Sequence, residues 1–258
     1  MPSSPKSPKS PKSPAKKPSA KKSSAKPLLI SAGVALASIT LGIVSWQATA
    51  PAGTGSAGSA AVATPGTGTD PAAELKALAR RESGDKLALG RADAPVVLIE
   101  YSDFKCGYCG KFARDTEPEL VKKYVQDGTL RIEWRNFPIF GAESEAAAKA
   151  AWAAGQQDRF DAFHAAAYAG GSKEKGFAEP RLVELAREAG VPDLERFTAD
   201  MAGEQAAAAL RKDQEEGYRI GVTSTPSFLL NGRPIAGAQP LDTFTAAIAK
   251  AKAEAAKQ

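Results

Sequence analysis

The feature that most constrains this chain is its only pair of cysteines. Cys106 and Cys109 enclose Gly107 and Tyr108 in a C-x-x-C motif, just after the apolar run 96–101. This order predicts a buried strand that leads into the start of a helix. If a helix begins at Gly107, its unpaired N–H groups and the positive end of its dipole stabilise a thiolate at Cys106.

The pair predicts thiol–disulfide exchange. A lowered pKa makes the Cys106 thiol both a nucleophile and a good leaving group, and Cys109, one turn later, can close a disulfide with it. A structural disulfide and half of a zinc site are the alternatives. Zinc takes about four ligands, whereas the chain offers these two cysteines and one distant histidine, His164. We therefore expect neither a metal ion nor another bound cofactor.

The first 27 residues form a basic segment. Residues 1–26 contain eight of the 34 basic residues, no acidic residue, and repeated Ser-Pro-Lys triplets. Because such a composition cannot bury a core, we expect residues 1–27 to be disordered. Without these eight lysines, 26 basic residues face 29 acidic ones, a net charge of −3. Ser-Pro-Lys repeats can contact DNA phosphates, but the segments that follow argue against a nucleic-acid role.

Residues 28–46 contain no charged residue and end in Trp46, which predicts a transmembrane helix. Eight lysines precede this run, and no Lys or Arg follows it before Lys76. The positive-inside rule therefore places the N-terminus in the cytoplasm and the rest of the chain outside. The alternative is a secreted protein cleaved near Ala50, but Pro51 and the length of the run favour a single-pass signal anchor.

Residues 47–71 consist largely of Ala, Gly, Thr, Ser and Pro, which predicts a flexible linker that spans about 25–30 Å. We expect one folded domain over 72–258, with a helical pattern at Glu74–Arg81. Its first half should contain two strands, a helix bent at Pro118, and a third strand. Their predicted bounds are Lys86–Leu89, Pro95–Tyr101, Cys106–Gln126 and Leu130–Phe137. Strand, helix, strand predicts a parallel pair with a right-handed crossover.

A helical insertion is predicted over about 142–219, where Ala- and charge-rich segments are separated by Gly and Pro. Its five helices are predicted at Glu143–Gln156, Asp158–Ala169, Pro180–Gly190, Pro192–Met201 and Gly203–Tyr218. Strand pattern then returns at Ser227–Leu230 and Arg233–Ile235, joined by the hairpin signal Asn231-Gly232. A last helix is predicted at Leu241–Ala255.

Two residues outside the C-x-x-C motif are candidates for the site. Pro226 follows Thr225 at the start of a predicted strand, where the peptide bond is either an ordinary trans bond or cis. Glu100 lies within the apolar run, so its carboxyl group is either buried with a raised pKa or turned toward a solvated edge. A buried Glu100 could relay a proton to or from Cys109.

Two stretches resemble the DsbA-like thiol–disulfide oxidoreductases. The first runs from Ala94 to Cys109 with Phe112 behind it, and the second runs from Gly221 to Phe228 and on to Asn231-Gly232. The resemblance covers about residues 85–256. It implies an α/β thioredoxin fold with an inserted helical subdomain, which in this chain would follow the N-terminal transmembrane helix.

The resemblance also implies a role for individual residues. Cys106 matches the exposed nucleophile of the family and Cys109 the buried resolving cysteine. Pro226 matches a cis-proline whose loop faces the disulfide and aligns the substrate backbone. Thr225 matches the residue that touches the active-site sulfurs, and Glu100 matches the buried acid of the central strand.

This sequence departs from strongly oxidising family members, which usually carry Pro-His between the cysteines. Gly107 and Tyr108 stand there instead, and together with Thr225 they also resemble the disulfide isomerases DsbC and DsbG. The neighbouring Lys105 is expected to be solvated. His164, in a stretch from Phe160 that resembles part of the family's helical insertion, is expected to pack structurally.

The function implied is disulfide exchange outside the cytoplasm, with exported proteins that carry thiols or disulfides as substrates. The oxidase direction is the leading hypothesis, and a reductase or isomerase would use the same residues. An oxidase would require a membrane partner that reoxidises it, either DsbB-like or similar to vitamin K epoxide reductase. A redox-silent module that binds peptides or a metal is the alternative from another class.

Overall fold

The computed structural model describes residues 71–257. The predictions of a basic tail at 1–27 and a transmembrane helix at 28–46 therefore lie outside the described residues, and so does the linker predicted at 47–71 except for Pro71, which begins the first helix. Between Pro71 and Lys257, no helix combines the length and the apolar character that a membrane crossing requires.

A five-stranded sheet forms the centre of the fold, in the order β1-β3-β2-β4-β5. The strands are β1 Ala88–Leu89, β2 Val96–Ser102, β3 Leu130–Asn136, β4 Ser227–Leu230 and β5 Arg233–Ala236. β2 and β3 run parallel, with Val96 opposite Leu130, while the other neighbouring pairs are antiparallel. The parallel pair predicted from the order strand, helix, strand is confirmed.

Helices cover both faces of the sheet and form the insertion. They are α1 Pro71–Lys76, α2 Gly107–Asp115, α3 Glu117–Leu120, α4 Ala142–Gly155, α5 Phe160–Tyr168, α6 Glu179–Glu188, α7 Leu194–Ala202, α8 Glu204–Arg219 and α9 Leu241–Ala255. A π-helical turn at Val121–Val125 and a 3₁₀ turn at Lys173–Lys175 complete the helical segments described. The five helices predicted between β3 and β4 are confirmed as α4 to α8, with ends shifted by at most a few residues.

Two helix predictions are corrected. The pattern at Glu74–Arg81 gives a helix that ends at Lys76, because the next residues turn to the sheet: the amides of Arg80 and Arg81 donate to the Glu133 carboxylate at 2.9 and 2.8 Å. The helix predicted at Cys106–Gln126 breaks at Thr116, two residues before Pro118. Since a proline lacks an N–H and its ring clashes with the preceding turn, the chain restarts as a separate helix, α3.

The central strand β2 is buried along its whole length. Its side chains alternate between two apolar clusters. Val96 and Leu98 contact the helices α2, α3 and α9 on one face, while Val97, Ile99 and Tyr101 contact α1 and the end of α8 on the other. Burial on both faces explains why the strand reads as a continuous apolar run rather than an alternating one.

Buried ion pairs on the second face of the sheet, the face that α1 covers, join β3 to the segments packed against it. The Glu133 carboxylate lies 2.8 Å from the Arg131 guanidinium and 3.0 Å from that of Arg135. Arg135 also pairs with Glu216 of α8 at 2.8 Å. The same guanidinium groups donate to the carbonyls of Glu82 and Leu78. This network fixes residues 78–82 and α8 on the face that lies opposite α2.

The helical insertion is built around α4, which contacts α5, α6, α7 and α8. Its buried face consists mainly of alanines, so neighbouring helices approach closely. α5 also contacts α2 and brings aromatic side chains to the end of β2, where the Tyr168 ring stacks on Phe104 at 4.9 Å. The insertion thus covers one side of the helix that follows the cysteine motif.

The hairpin between β4 and β5 turns at Asn231 and Gly232, which both have positive φ, 46° and 81°. Positive φ at both positions is the requirement of a type I′ turn, so the predicted hairpin is confirmed. α1 lies against this turn: a Cβ atom on Gly232 would be 2.5 Å from the carbonyl oxygen of Ala72. A side chain at position 232 would therefore displace α1.

Candidate active site

The cysteine motif lies where β2 ends and α2 begins. Cys106 is the N-cap residue of α2, with φ −74° and ψ 121°. Asp103 shapes the turn before it, because its carboxylate accepts hydrogen bonds from the amides of Lys105, at 2.8 Å, and Ile139, at 2.7 Å. These bonds connect the turn to the loop after β3 and fix the direction in which α2 starts.

The Cys106 sulfur is surrounded by hydrogen-bond donors. It accepts from the amide of Cys109 at 3.4 Å, and in the protonated form its S–H donates to the Thr225 carbonyl at 3.2 Å. A hydrogen bond from the Cys109 thiol is the main cause that lowers the pKa of Cys106, to about 6, against the opposing effect of burial. The Thr225 hydroxyl and the amides of Tyr108 and Cys109 lower it further. Cys106 is therefore largely a thiolate at neutral pH.

The second thiol is in a different environment. Cys109 is completely buried, and that burial is the main cause that raises its pKa far above the usual range of a thiol. The hydrogen bond that it donates to Cys106 acts in the same direction, whereas the Ser102 hydroxyl opposes it. Both cysteines are free thiols in this structure. The geometry thus holds one thiolate and one protonated thiol side by side.

The loop before β4 closes over the cysteine pair. The peptide bond between Thr225 and Pro226 is cis, and the Thr225 carbonyl contacts the Cys106 sulfur. The Thr225 hydroxyl is buried and has no hydrogen-bond partner within 71–257. Residues separated by more than a hundred positions in the sequence are thereby brought into one site.

A buried acid lies on β2, on the face of the sheet against which α2 packs. Glu100 is fully buried on β2, and desolvation, followed by the charge of Glu117, raises the pKa of its carboxyl group well above the usual range. The Ser102 hydroxyl acts in the opposite direction. Neither carboxyl oxygen has a hydrogen-bond partner in the described part of the chain. Of the two interpretations of Glu100, burial is correct and a solvated edge is wrong.

The surface around Cys106 combines a cleft with exposed aromatic rings. A cleft of about 190 Å³ lies beside the sulfur, and the side chains of Arg114 and Lys173 line it. The rings of Tyr108, 69% exposed, and Phe140, 52% exposed, are unusually accessible for apolar side chains. An exposed apolar surface next to a reactive group is suited to contact with another polypeptide.

Comparison with known proteins identifies the fold and chemistry. A family profile described as thioredoxin matches residues 82–250. The chain belongs to this thioredoxin family. It is 31% identical over 151 residues to the probable disulfide bond formation protein D of Bacillus anthracis, covering 56% of this chain and 69% of that protein.

Solved structures of thioredoxin-like proteins have a similar fold. BdbD from Bacillus subtilis has a TM-score of 0.61 at 23% identity, covering 67% of this chain and 95% of that one. A thioredoxin-like oxidoreductase from Silicibacter pomeroyi has a TM-score of 0.58 at 28% identity, covering 66% and 97%. The predicted α/β thioredoxin fold with a helical insertion is confirmed, and the protein is a DsbA-like thiol–disulfide oxidoreductase.

The structure brings together the cysteines and the loop that the sequence suggested for the site. Cys106, Cys109 and Thr225 are in contact, Pro226 has the expected cis bond, and Glu100 is buried. Lys105 is half-buried and therefore only partly solvated, and its ammonium group pairs with the Glu143 carboxylate at 2.6 Å. Between Pro71 and Lys257, no cluster of three or more His, Cys, Asp and Glu side chains is arranged to hold a metal ion.

Sequence reasoning missed three polar residues of this DsbA-like site. Asp103 shapes the turn, the buried Ser102 hydroxyl lies 3.3 Å from the Tyr168 hydroxyl, and Glu117 is a second buried acid. Asp103 lies in the stretch from Ala94 to Cys109 and could have been recognised as a turn-forming residue. Glu117 had no such signal, because an acidic residue beside a proline resembles an ordinary first turn of a helix.

Proposed function

We propose that this DsbA-like protein is an oxidase that transfers disulfide bonds to exported proteins through Cys106 and Cys109. The observation that supports this direction is the inequality of the two thiols. A stabilised Cys106 thiolate lowers the free energy of the reduced protein, and a protein whose reduced form is stabilised donates its disulfide readily.

The reaction begins with the Cys106–Cys109 disulfide. A substrate thiolate attacks the Cys106 sulfur, the bond between the two enzyme sulfurs breaks, and Cys109 leaves and takes up a proton. A second substrate thiolate then attacks the substrate sulfur of the mixed disulfide, and Cys106 leaves as a thiolate. The substrate loses two electrons and gains a disulfide, while the enzyme gains those electrons and is left as the dithiol.

Other residues support these steps. Pro226 and Thr225 would align the substrate backbone against the Cys106 sulfur, and Gly107 and Tyr108 shape the surface between the cysteines. Glu100 would exchange a proton with Cys109. The enzyme returns to the disulfide when a membrane partner, DsbB-like or similar to vitamin K epoxide reductase, removes two electrons and two protons.

The place of action is part of the same proposal. The lysines of 1–27 and the uncharged run 28–46 favour a single-pass membrane protein with a cytoplasmic N-terminus. The linker 47–71 would then carry the catalytic domain outside the cytoplasm, within reach of a membrane partner. Cleavage near Ala50, with release of the domain, is the alternative.

The reduction potential of the full-length protein, equilibrated against glutathione, tests the direction. We expect a value toward the oxidising end, roughly −120 mV as in DsbA, because the Cys106 thiolate is stabilised. A value of roughly −270 mV, as in thioredoxin, would assign the reductase or isomerase direction instead. That outcome would agree with the Gly107-Tyr108 dipeptide, which is also found in the isomerases that this site resembles.

Substitution of each cysteine tests the assigned roles. In an assay that follows oxidation of a reduced peptide with two cysteines, Cys106→Ser should abolish turnover. Cys109→Ala should form mixed disulfides with the peptide through Cys106, visible under non-reducing conditions. If both variants match the parent protein in this assay, the chain is a binding module and not an oxidoreductase of this mechanism.

A further inference from the structure

The cleft beside Cys106 has a positively charged lining in a chain that is otherwise slightly acidic. Arg114 of α2 and Lys173 of the 3₁₀ turn supply two cations, and Glu174 is the one carboxylate among the described residues that line the cleft. Without the eight lysines of 1–26, the chain has 26 basic and 29 acidic residues. The excess of positive charge beside the reactive sulfur is therefore local.

The two cations of the cleft have few acidic partners of their own. Within 71–257, Arg114 forms no ion pair with a carboxylate, and the neighbouring Asp115 pairs with Lys111 instead, at 2.7 Å. The Nζ of Lys173 lies 3.8 Å from the Glu174 carboxylate, a distance that exceeds a hydrogen bond. Both groups thus keep N–H donors free for an anion.

The floor of the cleft is backbone rather than side chain. Gly107 and Gly110 line it between Cys106 and Arg114, because residues three and four apart share one face of a helix. A Cβ atom at Gly110 would lie 2.8 Å from the Arg114 Nη1, and one at Gly107 would lie 3.4 Å from the Lys173 Nζ. The two glycines therefore let both cationic groups lie close to the helix that begins at Cys106.

The cations occupy different ends of the cleft. Lys173 approaches Gly107, next to the reactive cysteine, and its side chain is 43% exposed. Arg114 lies about 10 Å farther along the axis of α2, where its Nη1 donates to the Tyr168 carbonyl at 2.8 Å. A carboxylate that enters beside the sulfur would therefore meet Lys173 first.

We propose that this cleft selects substrates that carry a carboxylate close to the reacting thiol, with Lys173 as the specificity-determining cation and Arg114 as a second one farther from the sulfur. The inference rests on the proposed exchange at Cys106. The cleft, about 190 Å³, is smaller than the roughly 300–1,000 Å³ of sites for cofactors and drug-sized ligands. It suits a single acidic side chain of a polypeptide, or the carboxylate of a small thiol.

The charge of Cys106 changes during the exchange and affects how a carboxylate binds in the cleft. In the disulfide form the sulfur is uncharged, so the cations attract a substrate carboxylate without a competing anion at Cys106. After the exchange Cys106 is a thiolate, and like charges repel. The carboxylate is therefore bound before the transfer and released more readily after it, and no additional group is oxidised or reduced.

The test compares two peptides with two cysteines each, in which the residues on either side of the first cysteine are both Glu or both Gln. The oxidised full-length protein is mixed with each reduced peptide at neutral pH, and the rate constant of its reduction is measured. Because Glu also changes the pKa of the neighbouring thiol, the ratio of the two rate constants is compared between proteins. Lys173→Gln should lower the Glu/Gln ratio about two- to fivefold, as expected of an exposed ion pair. Lys173→Glu should lower it further.

Lys175→Gln is the matched control. Lys175 lies on the same 3₁₀ turn and is exposed, but it is not among the residues that line the cleft. Its removal takes away the same charge and should leave the ratio unchanged. In the parent protein the ratio should fall as salt is added, because salt screens exposed charges. A parent ratio in both Lys173→Gln and Lys173→Glu would overturn the proposal while leaving the exchange reaction intact.

A second pair of substrates distinguishes the source of the carboxylate. Mercaptopropionate and the neutral mercaptoethanol replace the two peptides in the same comparison. A preference that depends on Lys173 with the peptides alone assigns the cleft to acidic polypeptides, and one with the small thiols alone assigns it to a free anionic thiol.

Failure of the proposed function gives a different result from failure of the cleft proposal. If none of these thiols reduces the oxidised parent protein, the oxidase direction fails. The same ratios are then measured for the reduced protein, whose Cys106 attacks the disulfide forms of the same peptides. Equal ratios for the parent protein and Lys173→Glu in that direction would overturn the carboxylate preference as well.

Discussion

The Cys106 sulfur shows how much of this site depends on a few hydrogen bonds. Its lowered pKa has the Cys109 thiol as its first cause, with the Thr225 hydroxyl and two amides behind it. The amides belong to the start of α2 and would remain in most variants. The two side chains can be removed one at a time, so their contributions are measurable.

We predict that the Cys106 thiolate, followed by its ultraviolet absorbance in the reduced protein, titrates with a midpoint of about 6. Cys109→Ala should raise this midpoint most, and Thr225→Val should raise it less, because each removes one donor. Thr223→Val, an exposed position in the same loop, serves as the control and should leave it unchanged. A midpoint near the ordinary thiol value of about 8.5 in the parent protein would contradict the described geometry.

The residues of the site differ in how far the sequence could predict them. The cysteines, Thr225 and Pro226 belong to motifs that can be recognised without a structure. Burial of Glu100 could not be decided, because a strand that is apolar on both faces does not show which way one acid points. The Oε2 of Glu117 lies 3.7 Å from the Nδ1 of His164, although the two residues are 47 positions apart in different helices, and no local pattern encodes this approach.

At the level of secondary structure, β3 carries the most deeply buried ion pairs of the described domain. Glu133 is fully buried between Arg131 and Arg135. Although desolvation opposes ionisation, hydrogen bonds from Arg131 and from the amides of Arg80 and Arg81 lower the pKa of Glu133 to about 2. Removing this carboxylate would leave two guanidinium groups buried without it.

We predict that Glu133→Gln lowers the free energy of unfolding by about 3–5 kcal/mol, the usual cost of breaking a buried ion pair from one side. The measurement is urea unfolding at neutral pH. Glu145→Gln, on the exposed side of α4, should change stability by less than about 0.5 kcal/mol. An equally small effect at position 133 would show that the network contributes little.

The stability of the parent protein, compared with that of Glu133→Gln, should also depend on pH. The folded pKa of Glu133, about 2, lies below the unfolded value, so its contribution is complete above about pH 4.5 and is lost as the pH falls toward 2. The parent protein should therefore lose more stability than Glu133→Gln across this range.

Element types were predicted more reliably than their ends. Gly and Pro separate the helices of the insertion clearly, and Asn231-Gly232 marks the hairpin. The end of α1 was misjudged because the amides of Arg80 and Arg81 bond to Glu133, a partner more than fifty residues away. Tertiary hydrogen bonds of this kind override a local helical pattern.

On the scale of the whole molecule, residues 28–46 are predicted to attach the protein to the membrane, whereas the domain that follows the linker carries no such segment in its described part. We predict that the full-length protein sediments with membranes, whereas a chain that begins at Pro71, exported by a cleavable signal, does not. Fractionation and immunoblotting after export provide the measurement. Release of the full-length protein from membranes in a shortened form would instead support cleavage near Ala50.

The attachment of residues 71–82 also determines how the domain would respond to mechanical force. Tension on the chain before Pro71 would first peel the short helix α1 from the hairpin turn at Gly232. It would then meet the bonds between Arg80, Arg81 and Glu133, which are buried on the face of the sheet opposite α2. The reactive sulfur lies at the start of α2, on the other face of the sheet, so neither of these attachments includes it.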